Sequence, residues 1–343
     1  MNFSKKRHEY ALQFENGLVV NGCARADCYS AEVFGKLQDS AVEFGTVWES
    51  GEMPIFKFGE KFQKYRTEQI ALQDNLRENR ISCTLPWEVL KKLPPDRKVS
   101  DRLYWSQGSV GSCMGHADAF AHHSATLTAI ACGMPLVYSP FNPLVTWCIT
   151  KGGSMWGGQS VSEMAAGANK LGHYTEANVG TNNQRMPDYK AFTEDAKKYQ
   201  SAMVFLEFRG EELCEEIFES CHAGMAVAFG NSTAVSGATT DSNGIKVAKI
   251  GGSWAHATHF AGWRKVNGTE YIGWINSHGS RYGQSEEGEP ADMCWMDKST
   301  AVRFCSTMSQ YGSPYVVLPE STWVKNHRTT VDFVVPFPEN WRF

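Results

Sequence analysis

The run Gln107-Gly108-Ser109-Val110-Gly111-Ser112-Cys113 places a thiol behind a glycine-rich loop, at the start of an alanine-rich stretch. A cysteine at a helix N-terminus has its thiolate stabilised by free N–H groups and by the positive end of the helix dipole. Glycines let a substrate backbone come close to the sulfur. Gln107 can fold back across the turn, so that its amide and the Cys113 N–H would together hold a developing oxyanion. The same segment, taken alone, also reads as an inert helix-start cysteine behind a flexible loop.

A second cluster supplies the proton chemistry. Trp254-Ala255-His256-Ala257-Thr258-His259 and Tyr271-Ile272-Gly273-Trp274-Ile275-Asn276 flank a Val266-Asn267-Gly268 turn and read as a β-hairpin. An asparagine that accepts an imidazole N–H fixes the tautomer and leaves the other ring nitrogen as a base. Two histidines compete for that role. They point to opposite faces of the strand. A two-residue Asn267-Gly268 loop would set His259 against Asn276, whereas a three-residue loop with a glycine bulge would bring His256 and Asn276 to one face. Turn rules leave both open. The opposite faces argue against His256 and His259 joining Cys113 around one zinc ion. His116, His122 and His123, on the helix after Cys113, are expected in core or solvent positions.

Together these motifs resemble the papain-like (C1-type) cysteine peptidases. Gln107 to Cys113 resembles Gln-Gly-x-Cys-Gly-Ser-Cys with the same interval. Asn276-Ser277-His278-Gly279-Ser280-Arg281-Tyr282-Gly283 resembles Asn-Ser-Trp-Gly-x-x-Trp-Gly. The His256-Ala257 strand with Gly262-Trp263 resembles the family's His-Ala strand and selects His256 as the base. His256 and Asn276 follow Cys113 by 143 and 163 residues, against roughly 130–150 in the family. Trp156-Gly157-Gly158 looks like the family's paired glycines along the substrate cleft, with Gly152-Gly153 as the alternative. The resemblance spans about 101–318 and is nearest in texture to bacterial and viral members. It implies Cys113, His256, Asn276 and Gln107 as catalytic residues, Gly157 and Gly158 as substrate-binding residues, and no metal or organic cofactor. Three departures stand out: Val110 at a half-cystine position, Met114 after the nucleophile, and His278 for the tryptophan that shields the Asn–His bond. The last implies a wetter, weaker pair. A catalytically weak or inactive papain-fold module in a virion or other large assembly is therefore the rival reading. Thiol-dependent hydrolysis of a non-protein amide or ester is another.

The elements that must position these residues follow from pattern. Cys113–Cys132, Val161–Leu171 and 211–221 read as helices, each followed by glycine. Met225–Phe229, 257–266, Tyr271–Ile275 and 315–318 read as strands. Helices first and strands after give an α+β class in two lobes, helical and β-barrel-like. The breaker Leu93-Pro94-Pro95-Asp96 suggests a boundary. Residues 96–343 would form the peptidase-like domain. Residues 1–95, with strand-like stretches at 14–24 and 45–58 and a polar helix at 61–80, would form an accessory or propeptide-like region.

The chain of 343 residues carries 33 basic and 37 acidic side chains. That balance shows no electrostatic footprint for nucleic acid, and no apolar run of roughly 18 residues predicts a membrane span. The basic residues near Met1 precede no apolar h-region, so a cytoplasmic setting is expected; for a viral protein, this means the virion or host cytoplasm. There the ten cysteines should stay reduced, and Cys23 and Cys28 lack a second pair at zinc-site spacing. The expected partners are a protein or peptide substrate and proteins that dock on residues 1–95.

Overall fold

The computed structural model describes residues 85–131, 136–199, 201–206, 209–222, 224–279, 282, 286, 288–308 and 312–321. The elements expected within 1–84, with Cys23, Cys28, Cys132, Ser280, Arg281 and Gly283, lie outside the described residues.

The chain begins with α1 (Pro86–Lys92), started by proline at the first turn. Its Trp87, Val89 and Leu90, with Leu93 just beyond, enter the main core, so residues 85–93 pack with the segment that follows Asp96. The central element is α2 (Cys113–Ala131). All of its residues after Cys113 are buried, which is the mark of a core helix rather than a surface one. Its polar groups are satisfied locally or across the core. Ser124 and Thr128 hydroxyls both donate to the Gly224 carbonyl, at 2.8 and 2.6 Å. α2 packs on α1, on α3 (Pro143–Thr150) and on α4 (Val161–Leu171) in one lobe, and on the sheet in the other. The α+β class and two-lobed layout read from the sequence are the observed ones.

Helix α4 has the expected bounds because its signals are local. Ser160 and Glu163 form a capping box, and Gly172 ends it in the left-handed region. The amphipathic α5 (Gly210–His222) is one residue longer at each end than expected. α3 was not expected. It is eight residues long, capped by Asn142, whose side chain accepts from Leu144 N; its run of apolar residues has no helical period to read.

The sheet has the order β1-β6-β2-β3-β4-β5, with β1 (Ser201–Phe205), β2 (Val227–Thr240), β3 (Lys246–Val266), β4 (Thr269–Ile275), β5 (Met293–Asp297) and β6 (Tyr315–Ser321). β2 and β3 run far beyond the expected 225–229 and 257–266. Their outer halves are rich in Ser, Thr, Gly and Lys and are largely solvent-facing, so they lack the apolar signal. Three register shifts between β2 and β3 curl the sheet, and Val247 of β3 pairs in parallel with Trp295 of β5. This closes β3-β4-β5 on itself. β5 was missed as a short Met/Cys/Trp run, and α6 (Lys298–Cys305) because a single Asp297 cap sets its start. Trp274, Trp295, Phe229, Phe260 and Phe304 are fully buried in this half. Each stabilises the fold by about 1.5–3 kcal/mol on burial. Among the described residues no helix is long and apolar enough to cross a membrane.

Candidate active site

Cys113 is the first residue of α2. It is half-buried, while Cys148, Cys214, Cys221, Cys294 and Cys305 are buried; all six are free thiols. The backbone N–H groups of Ala257, Met114 and Cys113 itself act on its sulfur and favour the thiolate, as does the charge of Lys151. Burial outweighs them and pushes the Cys113 thiol up. The helix-start stabilisation expected from sequence is therefore present but is not the dominant influence. Ala257 follows His256, so the contact brings the start of α2 against the strand that carries the candidate base.

His256 Nε2 and Asn276 Oδ1 lie 2.6 Å apart. An amide oxygen only accepts, so Nε2 carries the hydrogen and Nδ1 keeps its lone pair. The neutral ring is thereby set up as a base through Nδ1. Burial is the main cause that lowers the His256 pKa to about 4; the Asn276 bond raises it, and His278 and His116 lower it further. The uncombined groups thus rest as thiol and neutral imidazole.

The register that joins His256 to Asn276 has a cause that turn rules did not reveal. The hairpin loop is the two-residue Asn267-Gly268, with both residues at positive φ and Val266 paired to Thr269. Past the turn, Trp263 pairs with Ile272, but Phe260 pairs with Trp274. Ala261 and Gly262 therefore oppose Gly273 alone, a β-bulge. Gly262 takes φ +77, and a Cβ on Gly273 would lie 2.4 Å from the Ala261 carbonyl oxygen. That one-residue shift pairs His259 with Ile275 and puts His256 on the face of Asn276. The loop is thus the two-residue alternative, but a mid-strand bulge, and not a bulge in the loop, shifts the pairing so that His256 and not His259 shares the face of Asn276. His259 points the other way, stacked on Phe120 with ring centroids 4.1 Å apart.

The pair is not wet. Asn276 is fully buried and His256 is 8% exposed. His278, in place of the family's tryptophan, stacks on the His256 ring at 4.3 Å, and Trp254 meets it edge-on at 4.8 Å. An exposed imidazole and an indole from β3 together replace the lost cover, which corrects the expectation of a weakened hydrogen bond.

Gln107 is held on both ends of its amide. Ser277 Oγ donates to its Oε1, and its Nε2 donates to the Val110 carbonyl at 2.9 Å. Among the described residues the other Nε2 hydrogen meets no acceptor, so it can donate. The backbone of Gln107 is fixed as well, its N–H donating to the Ser277 carbonyl at 2.7 Å and its carbonyl accepting from Gln184 Nε2 at 2.8 Å. The loop bearing Gln107 is thus tied to the loop bearing Asn276. Tyr104 extends the tie by donating to the Gly279 carbonyl at 2.7 Å, and Asp292 accepts from His278 N at 2.8 Å. Ser277 lay inside a quoted motif. Tyr104, Gln184 and Asp292 carried no signal, because their partners are distant in sequence.

Gly157 and Gly158 are exposed, and the Gly157 carbonyl oxygen would lie 3.2 Å from a Cβ on Gly111. The paired glycines therefore stand beside the nucleophile's loop. Lys151 Nζ donates to the carbonyls of Trp156 and Gly157 at 2.5 and 2.8 Å and sits 3.9 Å over the Trp147 ring. It was not anticipated. Trp156 is 87% exposed. His116 is buried, its Nδ1 2.9 Å from the Ser112 carbonyl, so it braces the helix start.

No family model matches the chain, and no curated protein matches it. Three of the solved structures similar to it are peptidase precursors. Digestive procathepsin L 3 of the Tenebrio molitor larval midgut is 14% identical over 84% of this chain and 100% of its own, with a TM-score of 0.43. ProCathepsin B S9 from Trypanosoma congolense is 14% identical over 70% of this chain and 78% of its own, with a TM-score of 0.41. Digestive procathepsin L2 proteinase of the Tenebrio molitor larval midgut is 14% identical over 83% and 99%, with a TM-score of 0.41. At these scores the likenesses decide nothing about the residues of this chain.

Proposed function

We propose that the chain is a cysteine peptidase that cleaves peptide bonds through an acyl-enzyme. The observation that carries this is the His256 Nε2 to Asn276 Oδ1 bond of 2.6 Å, on a strand whose next N–H acts on the Cys113 sulfur. His256 Nδ1 takes the thiol proton as the sulfur attacks a peptide carbonyl. The tetrahedral oxyanion accepts from the Cys113 N–H and from the free hydrogen of Gln107 Nε2. His256 returns the proton to the leaving amine, and water, deprotonated by the same nitrogen, releases the acyl group. Gly157 and Gly158 leave room for a substrate backbone beside Gly111. The substrate is a protein or peptide, and the setting is cytoplasmic. Residues 1–95 serve as an accessory or docking region.

A second reading, a papain-like module without turnover, draws on the burial that raises the Cys113 thiol and lowers His256. Incubation with a fluorogenic peptide library separates the two. Cleavage by the full chain that vanishes in Cys113→Ala supports the peptidase. Cleavage that survives this substitution, or none at any pH at which the chain stays folded, supports the inactive module.

A further inference from the structure

Helix α2 buries more chemistry than its first residue. Asp118 is fully buried, one turn and a half along the helix from Cys113. Its Oδ1 accepts from the Tyr315 hydroxyl at 2.6 Å, and its Oδ2 lies 2.7 Å from His173 Nε2. His122, one turn further on, is 2% exposed and puts its Nε2 3.6 Å from Asp118 Oδ1. Among the described residues that nitrogen has no hydrogen-bond partner. The rings of His122 and His173 lie with centroids 3.8 Å apart. One carboxylate oxygen and two imidazole nitrogens, all within 4.8 Å of one another, thus converge in the core. None of the three serves the proposed peptidase chemistry.

We propose that Asp118, His122 and His173 form a structural zinc site. Three features carry it. Tetrahedral zinc with bonds of about 2.0–2.1 Å holds its ligand atoms about 3.4 Å apart, close to the 3.6 Å between His122 Nε2 and Asp118 Oδ1, and His173 Nε2, now 2.7 Å from Asp118 Oδ2, would exchange that hydrogen bond for the metal. A metal-bound histidine usually gives its other N–H to a backbone carbonyl, and His173 Nδ1 lies 3.3 Å from the Tyr199 carbonyl oxygen. The Tyr315 hydroxyl on Asp118 is the outer partner a ligating carboxylate needs. The metal also gives His122 Nε2 a partner: it lies 3.6 Å from Asp118 Oδ1, beyond hydrogen-bond reach, and a cation between them would engage both buried atoms. Filled, the site ties α2 to the segment after α4 directly and to β6 through Tyr315. Zinc would enter as the chain folds, because all three ligands are sealed. The competing arrangement is the metal-free hydrogen bond of His173 Nε2 to Asp118 Oδ2.

The test uses the full chain, expressed with added zinc, alkylated at Cys113 with iodoacetamide and dialysed. The site predicts about one retained zinc per chain, with an X-ray absorption first shell of nitrogen and oxygen near about 2.0 Å and no sulfur at about 2.3 Å. His122→Phe, if it folds, loses the metal. If it does not fold, Tyr315→Phe serves, with zinc affinity expected to fall about 10–100-fold. Absence of zinc in the folded chain overturns the site and supports the metal-free hydrogen bond. Sulfur in the zinc shell, or a folded His122→Phe that keeps its metal, also overturns it.

Discussion

Replacing His259 by phenylalanine separates the two strand histidines and has a magnitude the structure sets. His259 is 3% exposed, its Nε2 has no hydrogen-bond partner among the described residues, and its ring stacks on Phe120. Burial, with a smaller contribution from His116, lowers its pKa from 6.5 to about 3. The folded chain therefore refuses a proton that the unfolded chain accepts. Stability from this residue is fully present above about pH 6.5 and is lost as pH falls toward 3. At 1.36 kcal/mol per unit, the loss from pH 7 is about 2 kcal/mol at pH 5 and about 3 kcal/mol at pH 4. His259→Phe keeps the stacking and removes the titration. Urea unfolding at pH 7, 6, 5 and 4.5 should show the variant losing stability with falling pH less steeply than wild type, by about 2 kcal/mol at pH 5. Peptidase turnover should survive, since His259 faces Phe120 and not Asn276. Equal pH slopes in the two proteins would refute the burial argument, and a folded but inactive variant would refute the choice of His256 as base.

Gln107→Glu keeps the side chain's shape but removes its amide donors, and should lower kcat about 10²-fold. Gln107→Ala is a poorer probe, because it also abandons the Ser277 hydrogen bond that a glutamate can keep, and thermal melts should show it less stable than wild type. Gly273→Ala drives a methyl group into the Ala261 carbonyl and Met293; it should abolish turnover by disturbing the bulge and lower the melting temperature, and a fully active, stable variant would count against the bulge as the source of register. Among the described cysteines, iodoacetamide followed by peptide mapping should find Cys113 modified first, faster as pH rises because burial raises its thiol pKa.

Those predictions draw on residues that were unequally legible in the sequence. Cys113, Gln107, His256 and Asn276 were readable because each sits in a short motif whose order survives. Helix α4 was readable because Ser160, Glu163 and Gly172 mark the two ends of its eleven residues. The outer halves of β2 and β3 were not, since strand pairing there is enforced by the partner and not by apolar alternation. The bulge opposite Gly273 was invisible for a related reason: a glycine reports freedom, but only the pairing reports which carbonyl comes close. The cover over His256 was misjudged because Trp254 lies outside the motif that lost its tryptophan. Asp118 and His122 lie fifty or more residues before His173, so no local motif joins them, and His122 alone was read, as a core or solvent histidine.

The central claim is that His256, oriented by Asn276, makes Cys113 a nucleophile. Acid quenching after brief mixing with a peptide p-nitrophenyl ester, followed by tandem mass spectrometry, tests it most directly. The account predicts a burst of nitrophenol with one acyl group on Cys113, absent from Cys113→Ala and strongly reduced in His256→Ala. An unacylated Cys113 in the folded chain, or acylation that His256→Ala leaves at the wild-type rate, would contradict it.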